Sequence, residues 1–338
     1  MGPVSTILDV AKIAGVSTAT VSRVINSPDQ VKEETREKVY RAMKTCRYQY
    51  NALARGFVTK RSNTIGLIIP TISNPVFAES TRGVQDVAGT GDFHVILGNS
   101  YYDGDKEAKL IEVLRERQVE GLIITTTNMQ GEILKRLQDD GFPFVLLYST
   151  VRKGPMSAVG VDNYLGGYRA TEHLIKLGHT RIAMLAGNFS ISDRSFHRWH
   201  GYKKCLKDHD IPYDAKMLRQ TGFGLGNVKE CVQELLSSDS PPTAVFCSND
   251  LVALSAMEGA REMGLDVPGN LSVVGFDDMP LSSYVYPRLT TIYQPAYDMG
   301  RRATEILMSQ TREEKGKPVQ EMMGVRLVVR DSTAPPRG

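Results

Sequence analysis

The stretch LDVAKIAGVSTATVSRVIN, Leu8 to Asn26, sets Leu8, Val10, Ala11, Ala14, Val16, Val21, Val24 and Ile25 at three- and four-residue intervals, with a break at Gly15-Val16-Ser17. That spacing predicts two short amphipathic helices joined by a tight turn. Gly15 suits a turn position of positive φ, where a β-carbon would clash. Ser17 is placed to cap the second helix by accepting an amide N–H of its first turn. The outward face of that helix carries Thr18, Ala19, Ser22, Arg23 and Asn26. These side chains are short or fork-shaped and can reach base edges and phosphates. A buried helical hairpin would explain the apolar spacing equally well, but not an outer face nearly free of acids in a basic segment. The pattern points to a DNA-reading helix-turn-helix, which requires a third helix and basic flanks.

Both follow. Val31, Thr35, Val39 and Met43 are spaced for a third helix packing on the first two. Residues 1–61 hold 11 Lys and Arg against 5 Asp and Glu, a net +6; the whole chain carries +3, which leaves −3 on the remaining 277 residues. The positive charge is concentrated where it can release counterions from a phosphate backbone.

The ordered series DVAKIAGVSTATVSRVIN, VKEETREKV, NALARG and TIGLIIPTISNPVFAE resembles the lactose/galactose repressor (LacI/GalR) family of bacterial transcription regulators, from about Thr6 to about Asp331. The resemblance implies a repressor that binds double-stranded, near-palindromic operator DNA as a homodimer. By match to the family motif, Thr18, Ala19 and Arg23 contact base edges while Ser17, Ser22 and Asn26 hold phosphates. It further implies a hinge that becomes helical on DNA, with Asn51, Leu53, Ala54 and Arg55 building or anchoring it and Phe57 as the minor-groove wedge. The family usually has leucine at the position of Phe57, serine at that of Gly56 and proline at that of Tyr50. In the free chain, one or two turns containing Gly56 cannot hold a helix in water, so 50–62 reads as a basic linker.

From Thr64 onward the pattern changes. Ile65–Pro70, Phe93–Gly98, Gly121–Thr125 and Phe144–Leu147 read as buried strands, separated by helices near Val76–Ala88, Asp105–Gln118 and Gly131–Asp139. The rhythm restarts with strands Ile182–Leu185, Ala244–Cys247 and Ser272–Phe276, between helices Tyr164–Leu177, Arg194–Asp208, Val228–Leu236 and Leu251–Met263. The expected fold is an N-terminal all-α helix-turn-helix domain, 1–49, the 50–62 linker, and an α/β core, 63–338, of two parallel-sheet subdomains. Leu289–Gln294 and Val325–Arg330 are expected to return across the cleft. This divides the core at about 63–162 with 293–322 and about 163–290 with 323–332. The resemblance adds likeness to periplasmic sugar-binding proteins.

Composition is ordinary for a globular protein, 41% hydrophobic and 23% charged. No apolar run reaches the ~18 residues of a membrane span. No secretory signal precedes the helices, and Cys46, Cys205, Cys231 and Cys247 are scattered without a CxxC pair. A cytoplasmic, nucleoid-associated location with reduced thiols is the expectation.

Catalytic and metal motifs are missing. Gly222-Phe223-Gly224-Leu225-Gly226 lacks the GxGxxG spacing, and GxSxG, HExxH and a Walker-type loop are absent. His197, His200, Cys205 and His209 cannot converge on a metal from one straight helix. No cofactor and no catalytic residue is expected. The competing class, a solute-binding protein or an enzyme on the same core, has no use for a basic helix-turn-helix.

Matching the family's motifs puts Val76, Phe77, Tyr148, Ser149, Arg194, Arg198, Phe223, Asn249 and Asp277 at an effector cleft. An aromatic face with a convergent Arg, Asn and Asp suits a hydroxyl-rich ring. A carbohydrate, and in particular a sugar acid, is the expected effector. A nucleoside held between Phe77 and Phe223 is the alternative.

Because glycine costs about 0.5–1 kcal/mol relative to alanine in a helix, Gly56→Ala is expected to tighten operator binding by reducing the ordering cost paid on DNA. Fluorescence anisotropy on operator DNA checks this; unchanged or weaker affinity counts against a coil-to-helix hinge.

Overall fold

The computed structural model describes residues 5–48, 62–149, 154–222, 226–312 and 317–337. The hinge residues Asn51, Leu53, Ala54, Arg55 and Phe57, and Phe223 of the effector set, lie outside the described residues, as does the side chain of Asn26. The chain divides into two compact units, Met1–Ser62 and Asn63–Gly338.

In the first unit, α1 (Ile7–Ala14), α2 (Thr18–Asn26) and α3 (Glu33–Thr45) pack on one small core of Val10, Ala11, Val21, Val24, Val39 and Ala42. Each end is built from its sequence. Thr6 and Asp9 form a reciprocal capping box at the start of α1. Gly15 closes that helix in the left-handed region at φ 67°. Ser17 caps α2 by accepting the Thr20 N–H at 3.1 Å.

In the second unit, strands and helices alternate. β1 (Thr64–Ile69), α4 (Pro75–Thr90), β2 (His94–Asn99), α5 (Gly104–Glu116), β3 (Gly121–Ile124), α6 (Glu132–Asp139), β4 (Phe144–Leu147) and β5 (Ser157–Val161) come first. Then follow α7 (Asn163–Lys176), β6 (Ile182–Gly187), α8 (Asp193–Asp208), β7 (Leu218–Thr221), α9 (Val228–Leu236), β8 (Ala244–Cys247), α10 (Asp250–Glu262), β9 (Ser272–Asp277) and β10 (Thr290–Tyr293). The last elements are α11 (Ala296–Arg312), β11 (Gln320–Met323) and β12 (Arg326–Val328). Two six-stranded sheets result, ordered β11-β5-β4-β3-β1-β2 and β12-β10-β9-β8-β6-β7. Among the described residues all pairings are parallel except β10 with β12. The chain passes from the second sheet to the first between Tyr293 and Gln320, and back between Met323 and Arg326.

Three features depart from the sequence reading. Phe93–Gly98 was expected as a buried strand, yet Ile96 and Leu97 of β2 are exposed, because β2 is the edge of its sheet. The edge strand β7 (LRQT) and β11 (QEMM) lack the apolar runs that mark central strands. Helix α11 and strand β5 also went unread.

The C-terminal tail is tied to the second sheet by a buried histidine. His179 Nε2 lies 2.9 Å from the Ala334 carbonyl, which can only accept, so Nε2 carries the proton and Nδ1 accepts from the Thr243 hydroxyl at 2.8 Å. Beside it, His173 Nε2 lies 3.0 Å from the Thr333 hydroxyl. Burial lowers the pKa of His179, the Ala334 bond opposing it; burial and then the neighbouring His179 lower that of His173. Both groups thus stabilise the fold fully above their ordinary value near 6.5, a contribution lost as pH falls through the lowered folded value. Asp250 and Asp277, raised chiefly by burial, act in the opposite sense. The diagnostic is therefore a difference. Between pH 7.5 and 5, wild type is expected to lose more stability than His179→Gln, since only wild type must protonate His179, whose folded pKa is lowered. Denaturant titration at the two pH values measures it, and equal losses refute the tail clamp.

Candidate functional site

Two sites emerge, one in each unit. On α2, Ser17, Ala19 and Arg23 are exposed and Thr18 and Ser22 half-buried, while Val21 and Val24 face the core. The face predicted to read DNA is thus the face turned away from the first unit's core. No acid stands in the first turn of α2, so no carboxylate offsets the positive end of the helix, which favours a phosphate. The Ser17 oxygen serves the helix as cap and sits 2.9 Å from the Thr20 hydroxyl.

The second site is a cavity of about 500 Å³ within the second unit. Its walls are the segments leaving the carboxyl ends of strands in both sheets. Thr71 follows β1, Tyr102 follows β2, Tyr148 follows β4, Asn188 follows β6, Ser248 follows β8, and Asp277 ends β9. This is where ligands sit in parallel α/β sheets, since the loops there are not consumed by the sheet.

On the first-sheet side, Asn74 caps α4 by accepting the Val76 N–H at 3.1 Å, fixing the turn that presents Val76 and Phe77. Tyr148 is in the left-handed region at φ 66°, and its hydroxyl donates to the Val76 carbonyl at 2.9 Å. Its ring meets that of Phe77 edge-on, with centroids 5.2 Å apart. Burial pushes the Tyr148 phenol well above its usual range, so it stays a neutral wall.

On the second-sheet side, α8 carries Arg194 and Arg198 one turn apart, both at least nine-tenths buried. Arg198 Nε donates to Asn163 Oδ1 at 2.9 Å, and Nη1 donates to the Ser248 carbonyl. Nη1 also lies 3.8 Å from Asp277 Oδ1, and the guanidinium stacks 3.4 Å from the Phe276 ring centre. Arg198 and Asp277 therefore pair within one half of the unit, not across the cleft. Arg194 is different. Neither Nη1 nor Nη2 has a hydrogen-bond partner, although both are buried. Asp277 accepts from Gln294 Nε2 at 2.6 Å, and Gln294 Oε1 is buried without a partner. Asn249 uses its side chain to cap α10, accepting from the Val252 N–H at 2.9 Å.

Of the predicted effector residues, Val76, Phe77, Tyr148, Arg194, Arg198, Asn249 and Asp277 line this cavity. Ser149 does not. Its main chain lies against Gly160 of β5, where an added Cβ would meet the Ser149 carbonyl oxygen at 2.6 Å, and its hydroxyl is buried away from the lining. Tyr102 and Gln294 line the cavity and were missed. Both follow strands, Tyr102 after β2 and Gln294 directly after β10, and that position is the signal that marks them. Among the described residues no three His, Cys, Asp or Glu come together as a metal-holding group, and no helix is long and apolar enough to cross a membrane. On α8, His200 meets Phe196 and Trp199 edge-on, and Cys205 is buried.

Comparison with known proteins now bears on this pair of sites. The profile of the bacterial regulatory proteins of the lacI family matches residues 6–51, and that of a periplasmic binding protein-like domain matches 171–333. The catabolite control protein A of Priestia megaterium is 35% identical over 328 residues, covering 97% of this chain and 99% of that protein. The chain belongs to the LacI family. The LacI-family regulator DegA of Bacillus subtilis is likewise 35% identical, each chain being covered to 98%. The lac repressor dimer bound to operator and the anti-inducer ONPF matches with a TM-score of 0.86 at 30% identity, over 98% of this chain and 100% of that one. The regulator CelR in complex with cellobiose matches with a TM-score of 0.74 at 30% identity, over 97% and 99%. This protein is thus a DNA-binding transcription regulator of the LacI family, with the helix-turn-helix and two-sheet core of that fold.

The exposed Arg23 is expected to read a base edge. Arg23→Ala should cost about 1–3 kcal/mol on the selected site and relax preference at one base position. Anisotropy on specific and random duplexes measures both; equal weakening on the two assigns Arg23 to a phosphate instead.

Proposed function

We propose that this regulator represses transcription as a homodimer on a near-palindromic operator, its affinity set by a sugar or sugar acid in the cleft. One observation carries the effector reading. The cavity holds a buried open donor group, the Arg194 guanidinium, and a buried open acceptor, Gln294 Oε1, beside the aromatic wall of Phe77 and Tyr148. Hydroxyls both donate and accept, and a ring carrying many of them answers both needs while its C–H face packs on the wall. The cellobiose held by CelR supports the same class. For the homodimer, support comes from apolar surface without a partner. Ile96 and Leu97 lie on the edge strand β2, and Tyr284 and Tyr286 are 82% and 96% exposed. A second copy covers such patches in a symmetric pair, and the lac repressor relative is a dimer.

A thermal-shift series against sugars, sugar acids and nucleosides tests the effector class. A ligand at about a hundred times its Kd adds about 2.7 kcal/mol, a rise of several degrees. The rise is expected with a sugar or sugar acid and is expected to vanish in Asp277→Ala. A rise with a nucleoside and none with any sugar or sugar acid overturns this class.

A further inference from the structure

The two arginines of α8 stand four residues apart on one helix face, yet they differ in what remains for them to do. Arg198 donates hydrogen bonds to Asn163 Oδ1 and to the Ser248 carbonyl, and the Asp277 carboxylate lies 3.8 Å from Nη1 as its ion-pair partner. Arg194 is 6% exposed, with both terminal nitrogens buried, lacking an acceptor and lining the cavity. The neighbouring Asp193 carboxylate is 3.9 Å from Nη1, outside hydrogen-bond range, and faces partly to solvent. A buried cation without a hydrogen-bond partner is strongly unfavourable, so a site that keeps one is built to receive an anion.

We infer that the cavity selects a sugar bearing one carboxylate, an aldonate or a hexuronate, and that Arg194 determines this selection by receiving the carboxylate on its paired Nη donors. The inference rests on the sugar-class reading above and narrows it. A neutral hydroxyl could satisfy one N–H of Arg194 but leaves the rest of the fork without an acceptor, whereas a carboxylate matches its two parallel N–H directions. The charge also argues for a monoanion. Among the described lining residues Arg194 is the cation left open, since Arg198 already faces Asp277. A phosphate ester would bring a second negative charge against that same Asp277 carboxylate. Elsewhere in the lining, Gln294 Oε1 is buried without a donor and takes a ligand hydroxyl. A molecule with an acid group at one end and hydroxyls along its length matches both.

Calorimetric titration of the full chain at pH 7 tests this, using panels of aldonates and hexuronates, the parent aldoses, a hexose phosphate and adenosine. Wild type, Arg194→Gln and Arg194→Lys are compared. An acid should bind wild type about a hundredfold more tightly than its parent sugar, Arg194→Gln should erase that preference, and Arg194→Lys should keep part of it. Without ligand, Arg194→Gln should melt no lower than wild type, because it removes a buried guanidinium whose terminal nitrogens have no hydrogen-bond acceptor; a merely structural arginine would lower the melting temperature. Equal affinity for acid and parent sugar, or an equal loss of both in Arg194→Gln, overturns the role of Arg194 and leaves the sugar reading standing. Tighter binding of the hexose phosphate overturns the single-carboxylate assignment. Adenosine binding with no response to any sugar or acid overturns both readings.

Discussion

The second unit is organised around one charge taken out of water. The Arg198 guanidinium is held by Asn163 at the start of α7, by the Ser248 carbonyl after β8 and by Asp277 at the end of β9, and it lies on the ring of Phe276. Burial brings its pKa down to about 10, so it stays a cation near neutrality. Removing a buried partner from such a set leaves an uncompensated charge, the costly outcome for any ion in the interior. The elements meeting at this point are therefore fixed together, and the cavity floor with them.

What allows Arg198 to reach Asn163 is the close passage of two helices. A Cβ on Gly167 of α7 would stand 2.1 Å from the Arg198 carbonyl oxygen, and one on Gly201 of α8 would stand 2.0 Å from that of Tyr164. With no room for a side chain on either, the helices cross backbone to backbone, and the rotation of α8 about its axis is set. That rotation turns Arg194, one turn before Arg198, to the same side. The geometry that satisfies one arginine inside the protein delivers the other, unsatisfied, to the cavity wall.

The first unit works on a smaller scale. Its core is six small side chains, none larger than valine, at about 1.5–3 kcal/mol for each buried valine. The caps at Thr6 and Ser17 and the left-handed Gly15 carry much of the definition of α1 and α2. The outer face of α2 turns away from this core, with Ala19 and Arg23 exposed and Thr18 and Ser22 half-buried.

The helix-turn-helix was legible in the sequence because its determinants are local: apolar spacing, one glycine of positive φ and one capping serine all lie within nineteen consecutive residues. The alternation of strand and helix was legible for the same reason, whereas Val76, Phe77, Tyr148, Arg194, Arg198, Asn249 and Asp277 were reached only through resemblance to the family's motifs, and the rest of the cavity lining was not reached. Strand order was not, since nothing within FHVILG says that β2 lies at an edge where Ile96 and Leu97 face outward. Polar edge strands such as β7 carry no period to find. Nor could local pattern separate Arg194 from Arg198, two arginines of one helix with the same charge. Their difference depends on Asn163, Ser248 and Asp277, which lie 35, 50 and 79 positions from Arg198 in the chain. Sequence by itself determined the helix-turn-helix and the apolar core elements with their order along the chain, because those follow from short-range sterics and periodicity. Which buried charge is satisfied and which is left for a ligand was decided by the tertiary structure, because hydrogen-bond partners are supplied by contacts that local sequence does not encode.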